Sequence, residues 1–152
     1  MRNALVLIVP AETQVPLHSF EELIRPEITK VAIGNPKTVP AGQYARQALK
    51  NLKLWSRLEP RLVLAENVRQ VLDYVVRGEV EAGIVYGSDV SIAHGKAAVA
   101  ASAPEDSHDP ILYPIAVVKA TEHASEARSF IDLALSHTGQ GILAKYGFIP
   151  LR

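Results

Sequence analysis

Short runs of β-branched and aliphatic residues alternate with segments of helical periodicity along this chain, and this alternation limits its fold more than any other feature. Strands are predicted at residues 4–9, 30–34, 61–65, 82–87, 96–102 and 113–119. Helices are predicted at residues 19–25, 40–52, 67–78, 123–136 and 138–147. The alternation indicates an α/β fold with a largely parallel sheet.

The composition narrows the classes of function. A chain of 152 residues that is 48% hydrophobic can form one sizeable core or two small lobes. Lys plus Arg and Asp plus Glu both number 16, so the zero formal net charge argues against a nucleic-acid partner. The chain has no cysteine, which excludes disulfides, thiolate metal sites and a cysteine nucleophile.

The apolar run 4-ALVLIVP-10 is too short to span a membrane and lacks a small-residue cleavage pattern. We interpret it as a strand, so the sequence predicts neither a signal peptide nor a membrane-spanning helix within this chain.

Two predicted helices begin directly after strands. In 34-GNPKTVPAGQYARQAL-49, Pro40 stands at the opening turn of a helix, with Thr38 or Val39 before it as the cap position. Asn67 is a favourable N-cap for the helix that follows residues 61–65. Both helix N-termini therefore follow the carboxyl ends of strands, the edge where open α/β sheets usually bind ligands.

The first turn of a helix carries unpaired N–H groups and about half a positive charge, which together favour an anion. The N–H groups near Ala41 and Val68 would form a neutral anion site if they face one crevice, and the hydroxyl of Tyr86 could add a donor. Gly42 would permit close approach of backbone or ligand. The alternative from the pattern alone is that this Pro/Gly-rich stretch only starts a helix.

Signals for catalysis or a metal are weak. The five histidines, at positions 18, 94, 108, 123 and 137, lack ligand spacing, and we interpret them as scattered surface residues. Ser88, beside Asp89 and near His94, lacks the GxSxG turn that a serine hydrolase of that type needs. Neither GxGxxG nor GxxxxGK[ST] is present. We therefore expect a non-enzymatic protein without a cofactor.

Three stretches, 31-VAIGNPKTVPAGQYARQAL-49, 65-AENVRQVLDYVVRGEVEAGIVYGSDV-90 and 142-ILAKYGF-148, resemble the periplasmic molybdate-binding proteins of ABC importers. The resemblance implies a type II periplasmic-binding-protein fold, in which two α/β lobes joined by crossover strands enclose a tetrahedral oxyanion. It places ligands on the main-chain N–H groups of Ala41 and Val68 and on the phenol of Tyr86. Molybdenum would be bound only as molybdate, the partner would be the membrane permease, and the location would be the periplasm.

Molybdate and tungstate are fully deprotonated dianions near neutral pH, so their oxygens only accept hydrogen bonds, and a site made purely of donors suits them. Sulfate matches them in charge and protonation, so only the size of the cavity could reject it.

Family members carry, ahead of the matched part, a first-lobe segment whose two serine-bearing loops supply further ligands. We therefore expect residues 9–112 to form the complete second lobe, and residues 1–8 and 113–152 to form crossover strands and the C-terminal part of the first lobe. A chain truncated in this way would bind weakly, and the uncovered apolar face of residues 128–136 would favour a homodimer. The alternative function is a small-molecule-sensing effector domain of a transcriptional regulator, which would require a DNA-binding segment upstream.

Overall fold

The computed structural model describes residues 1–150; residues 151 and 152, the end of the predicted segment 113–152, lie outside the described residues. Within these described residues, five strands form one sheet in the order β3-β2-β4-β1-β5. They are β1 (Leu5–Pro10), β2 (Val31–Gly34), β3 (Leu62–Ala65), β4 (Ala82–Tyr86) and β5 (Ala97–Ser102). β2 pairs in parallel with β3 and β4, whereas β1 pairs antiparallel with β4 and β5. Four strands thus share one direction and β1 opposes them, which confirms the α/β prediction.

In the part of the chain that the structure describes, six α-helices and four short 3-10 helices connect and flank the strands. The α-helices are α1 (Pro40–Asn51), α2 (Trp55–Leu58), α3 (Val68–Val76), α4 (Gly87–Val90), α5 (Ala124–Leu135) and α6 (His137–Lys145). The 3-10 helices are Glu21–Ile24, Glu59–Arg61, Ser91–Ala93 and Glu105–Ser107. No helix among residues 1–150 is both long and apolar enough to cross a membrane.

The helix predicted at residues 19–25 forms only the four-residue 3-10 helix Glu21–Ile24. Pro26 explains the early end, because a residue before proline is pushed out of the helical region. Arg25 accordingly has φ −56° and ψ 146°.

The sheet is covered on both faces. Helix α1 packs on one face, where Ala45, Ala48 and Leu49 meet strand residues such as Leu7 and Ile33. Helix α3 packs on the other face, where a second apolar cluster forms around Val71 and Val75. The helical periodicity predicted for both segments is therefore confirmed, and the sheet lies between two helical layers.

The connections place the starts of α1 and α3 after two neighbouring strands, β2 and β3. The chain leaves β2, passes through α1 and enters β3 on one side of β2; it then passes through α3 on the opposite face and enters β4 on the other side. Strand order thus reverses at β2. In open α/β sheets, the crevice at such a point is the usual ligand site.

The region after residue 111 differs from the sequence prediction in one element. The strand expected at residues 113–119 is wrong: only Leu112 forms an isolated bridge, to Arg2, and Ile115 and Val118 are exposed. A strand requires a continuous ladder to a neighbour, and in the described part of the chain residues 113–119 form none, since the bridge at Leu112 precedes them. The two following helices, α5 and α6, are confirmed within two residues of their predicted ends.

Helix α5 carries large apolar side chains into solvent, as its sequence predicts. Phe130 is 62% exposed and Leu133 56% exposed, and α5 contains no buried residue. The predicted lobe boundaries, 9–112 against 1–8 and 113–152, stay a prediction.

Candidate functional site

The carboxyl ends of β2, β3 and β4 meet at one edge of the sheet. Gly34 lies opposite Ala65 in the parallel register, and the N–H of Asn35 donates to the carbonyl of Ala65 at 2.8 Å. Tyr86, the last residue of β4, lies opposite Leu5 at the start of the reversed strand β1. The residues before β1 and after β2, β3 and β4 therefore all gather at this edge.

Helix α1 begins at this edge without a side-chain cap. Val39 is the residue before the helix, in extended conformation, and Pro40 is its first residue. Among the described residues, the N–H of Ala41 and that of Gly42 have no acceptor, whereas the N–H of Gln43 donates to the carbonyl of Val39 at 3.1 Å. Two donors of the first turn are thus unpaired within residues 1–150.

Gly42 allows this helix start to sit against the strand end. A Cβ built on Gly42 would overlap the carbonyl oxygen of Gly34 and would lie 2.5 Å from its carbonyl carbon. The close approach expected at Gly42 is therefore one of backbone to backbone. It brings the first turn of α1 onto the end of β2.

Helix α3 begins with the cap predicted from Asn67. The side-chain Oδ1 of Asn67 accepts the N–H of Gln70 at 2.9 Å, and the Gln70 side chain accepts the N–H of Glu66 at 2.8 Å. These two bonds satisfy donors on either side of Val68 and Arg69. In the part of the chain that the structure describes, the N–H groups of Val68 and Arg69 themselves have no acceptor.

Tyr86 places a phenol between two other tyrosines. Its ring meets those of Tyr44 and Tyr113 edge to face, with centroid distances of 6.5 and 6.4 Å. Burial, followed by the neighbouring phenols of Tyr113 and Tyr44, raises the pKa of Tyr86. Its hydroxyl is therefore protonated at neutral pH and is able to donate a hydrogen bond.

Asp89 holds the backbone of Tyr86 from within α4. Its Oδ2 accepts the N–H of Tyr86 at 3.1 Å. Burial raises the pKa of the Asp89 carboxyl, while the hydrogen bond from Tyr86 and the positive charge of Arg69 act in the opposite direction. A carboxyl on α4 and a guanidinium in the first turn of α3 therefore influence each other near Tyr86.

The three residues predicted as ligands therefore share one edge. Ala41 and Val68 start helices on opposite faces of the sheet, and Tyr86 ends the strand beside β2. Their role as anion ligands stays a prediction. Asn3, Tyr44 and Tyr113 also belong to this edge and were missed, because nothing in their local sequence marks their contacts with residues distant in the chain.

The arrangement required for a serine hydrolase is not formed. The Oγ of Ser88 accepts a hydrogen bond from Asn3 Nδ2 at 2.8 Å, and no histidine bonds to it within residues 1–150. His94 instead ends the 3-10 helix Ser91–Ala93. The described residues also contain no group of three or more His, Asp or Glu placed to hold a metal ion.

Comparison with known proteins assigns the chain to a family. Residues 1–149 match the family model of the bacterial extracellular solute-binding proteins. The chain belongs to this family.

Relatives of the chain include two curated molybdate-binding proteins ModA. The protein from Haemophilus influenzae is 37% identical over 149 residues, which cover 96% of this chain and 58% of that protein. The protein from Escherichia coli is 43% identical over 119 residues, covering 78% of this chain and 46% of that protein. The chain thus spans about half the length of the curated relatives it matches.

A solved structure supports the fold. A substrate-binding domain from Clostridium difficile, assigned to a molybdenum ABC transporter, superposes with a TM-score of 0.89 at 36% identity. The match covers 99% of this chain and 65% of that domain. These comparisons confirm the periplasmic-binding-protein-like fold, and they favour solute binding over the transcriptional-regulator alternative.

Proposed function

We propose that the chain contributes to binding a tetrahedral oxyanion, molybdate or tungstate, for delivery to the membrane permease of an ABC importer. The observation that carries the proposal is the pair of helix starts after the neighbouring strands β2 and β3, each with two N–H groups that have no acceptor among residues 1–150. Ala41 and Val68 offer these donors from opposite faces of the sheet, and Tyr86 adds a protonated phenol.

The chemistry of these groups suits a dianion that carries no proton. Main-chain N–H groups and a phenol that keeps its proton supply donors, while a fully deprotonated anion supplies only acceptors. Hydrogen bonds to a charged acceptor are about twice as strong as neutral ones, and the dipoles of α1 and α3 add to them. The anion would bind without a cofactor or a resident metal, so molybdenum enters only as molybdate.

The local charges are consistent with a neutral site. Arg69 lies in the first turn of α3, and its positive charge acts against the burial that raises the pKa of Asp89 in α4. The main-chain dipoles at the helix starts attract a dianion only at short range. A basic surface would instead attract anions of every kind from a distance.

The relatives support the ligand and the setting. Two curated relatives are named for molybdate, and the family is described as extracellular. We therefore propose a periplasmic location and a partner permease. Since the chain spans about half of those relatives, we expect it to bind the anion weakly by itself.

Tyr86→Phe tests the phenol. The change removes one hydroxyl that donates to a charged acceptor, so oxyanion binding should weaken by about 1.5–3 kcal/mol. Isothermal titration calorimetry with molybdate measures the loss. Tyr74→Phe is the matched control, because Tyr74 is also a partly buried tyrosine but lies in the last turn of α3. Equal affinity of Tyr86→Phe and the parent protein would remove Tyr86 from the site.

Two substitutions at Ala41 test the backbone donor. Ala41→Pro deletes the backbone N–H. Ala41→Ser keeps the N–H and replaces the methyl group with a side chain that is only one oxygen larger. Because Ala41 is buried at the first turn, both variants need a thermal unfolding measurement beside the titration. We expect Ala41→Pro to lower affinity further than Ala41→Ser; an equal loss in two equally folded variants would show that the N–H is irrelevant.

A further inference from the structure

Asn3 is a buried polar side chain at the binding edge, and all of its hydrogen-bonding groups are engaged. It is 5% exposed. Its Oδ1 accepts the N–H groups of Ala4 at 3.0 Å and Ser88 at 3.4 Å. Its Nδ2 donates to Ser88 Oγ at 2.8 Å and to the hydroxyl of Tyr113 at 3.2 Å.

These bonds join three distant parts of the chain around Tyr86. Ser88 follows Tyr86 by two residues, and the N–H of the intervening Gly87 donates to the carbonyl of Ala4 at 2.9 Å. The Tyr113 ring packs against Tyr86 on one side and against Phe148 on the other, with centroids 6.4 and 5.5 Å apart. One amide therefore restrains both the backbone after Tyr86 and the ring beside it.

We infer that Asn3 is a positioning residue that fixes the Tyr86 phenol for oxyanion binding, through its bonds to Ser88 and Tyr113. The inference rests on the proposed function. Asn3 does not contact the ligand in this account; it acts on the direction of the donor that does.

An amide is the side chain this position requires. The Asn3 amide accepts two hydrogen bonds through Oδ1 and donates two through Nδ2. An aspartate carboxylate could accept hydrogen bonds but could not donate them. Without Asn3, the partly buried hydroxyls of Ser88 and Tyr113 would each lose a hydrogen-bond partner, which is costly where water cannot replace it. The ring of Tyr113 would then have no polar tether to the start of β1.

The first experiment needs no ligand. The chain has five tyrosines, so a protein labelled with 13Cζ-tyrosine gives few signals, each assigned by its loss in a Tyr→Phe variant. Asn3→Ala should shift or broaden the Tyr86 and Tyr113 signals and leave those of Tyr74 and Tyr146 in place. The control Gln47→Ala also removes a side-chain amide with two long-range bonds, to Asp109, and should leave Tyr86 unchanged.

If Asn3→Ala does not fold, Ser88→Ala and Tyr113→Phe each remove a single hydroxyl of the network and serve in its place. An unchanged Tyr86 signal in every folded variant of the network would overturn the inference.

The second experiment separates positioning from general stability. The Asn3→Ala substitution is introduced into the parent protein and into the Tyr86→Phe variant. The affinity of each protein for molybdate is then measured by titration. In the parent protein, we expect Asn3→Ala to lower the affinity about threefold to tenfold, which corresponds to one neutral hydrogen bond. In Tyr86→Phe, where the phenol is already absent, we expect a loss of less than about twofold. Equal losses in both backgrounds would assign Asn3 a structural role and refute the inference. If the parent protein binds no oxyanion, the proposed function fails, while the tyrosine spectra still decide whether Asn3 positions Tyr86.

Discussion

Replacing Gly42 with alanine tests how closely α1 approaches β2. The added Cβ would overlap the carbonyl oxygen of Gly34 and lie 3.0 Å from the carbonyl carbon of Asn35. All of these atoms belong to the backbone, so no flexible side chain can move aside. The substitution must shift the start of α1 or the end of β2.

The magnitude follows from two opposing terms. Alanine in a helix is about 0.8–1.0 kcal/mol more favourable than glycine. Overpacking a close contact costs about 1–3 kcal/mol, and a rigid backbone neighbour puts Gly42 at the upper end of that range. The net expectation is a destabilisation of about 1–2 kcal/mol, or about 2–8 °C in the melting temperature for a domain of this size.

Gly141→Ala is the matched control, because Gly141 lies inside α6 and its added Cβ would meet no atom within 4 Å. There only the helix-propensity gain applies, so this variant should be more stable by up to about 1 kcal/mol. Thermal unfolding followed by circular dichroism measures both. Gly42→Ala proving as stable as Gly141→Ala would refute the close packing that places the donors of α1 at the edge.

Three further predictions concern the cap, a buried carboxyl and an exposed face. Asn67→Ala should destabilise the protein by about 0.5–2 kcal/mol, measured by urea unfolding, because it removes the cap of α3; an unchanged midpoint would contradict the cap. Because burial raises the pKa of Asp89 above 3.8, its ionised form is disfavoured in the folded state. Stability is therefore lost as pH rises through the raised value, and Asp89→Asn should melt higher than the parent near neutral pH, with a gap that closes in acid; a gap independent of pH would contradict this reasoning. Phe130→Lys should reduce concentration-dependent association through α5, measured by light scattering, and equal association of parent and variant would exclude this face.

Much of the fold could be predicted from local patterns. The alternation of apolar runs and helical periodicity located all five strands, and Pro40 and Asn67 marked the starts of α1 and α3. These signals work because proline at a first turn and asparagine at a cap act on their own neighbours in sequence.

The remaining features depend on distant contacts. The segment 113–119 has the composition of a strand but no ladder among residues 1–150, since strand formation is decided by a neighbour and not by propensity. The network of Asn3 joins residues 85 and 110 positions away. Nothing near Asn3 in the sequence indicates those partners, so its place beside Tyr86 required the structure.

The most direct test of the central claim is to observe the amides during a molybdate titration. In 1H-15N correlation spectra of the labelled protein, the account predicts that the largest shifts occur at Ala41, Gly42, Val68 and Arg69, whose N–H groups have no acceptor within residues 1–150. Chloride at the same ionic strength is the control. Saturable shifts at these amides that chloride does not reproduce would confirm that the helix starts bind the oxyanion. Shifts confined to other surfaces, or identical with chloride, would contradict it.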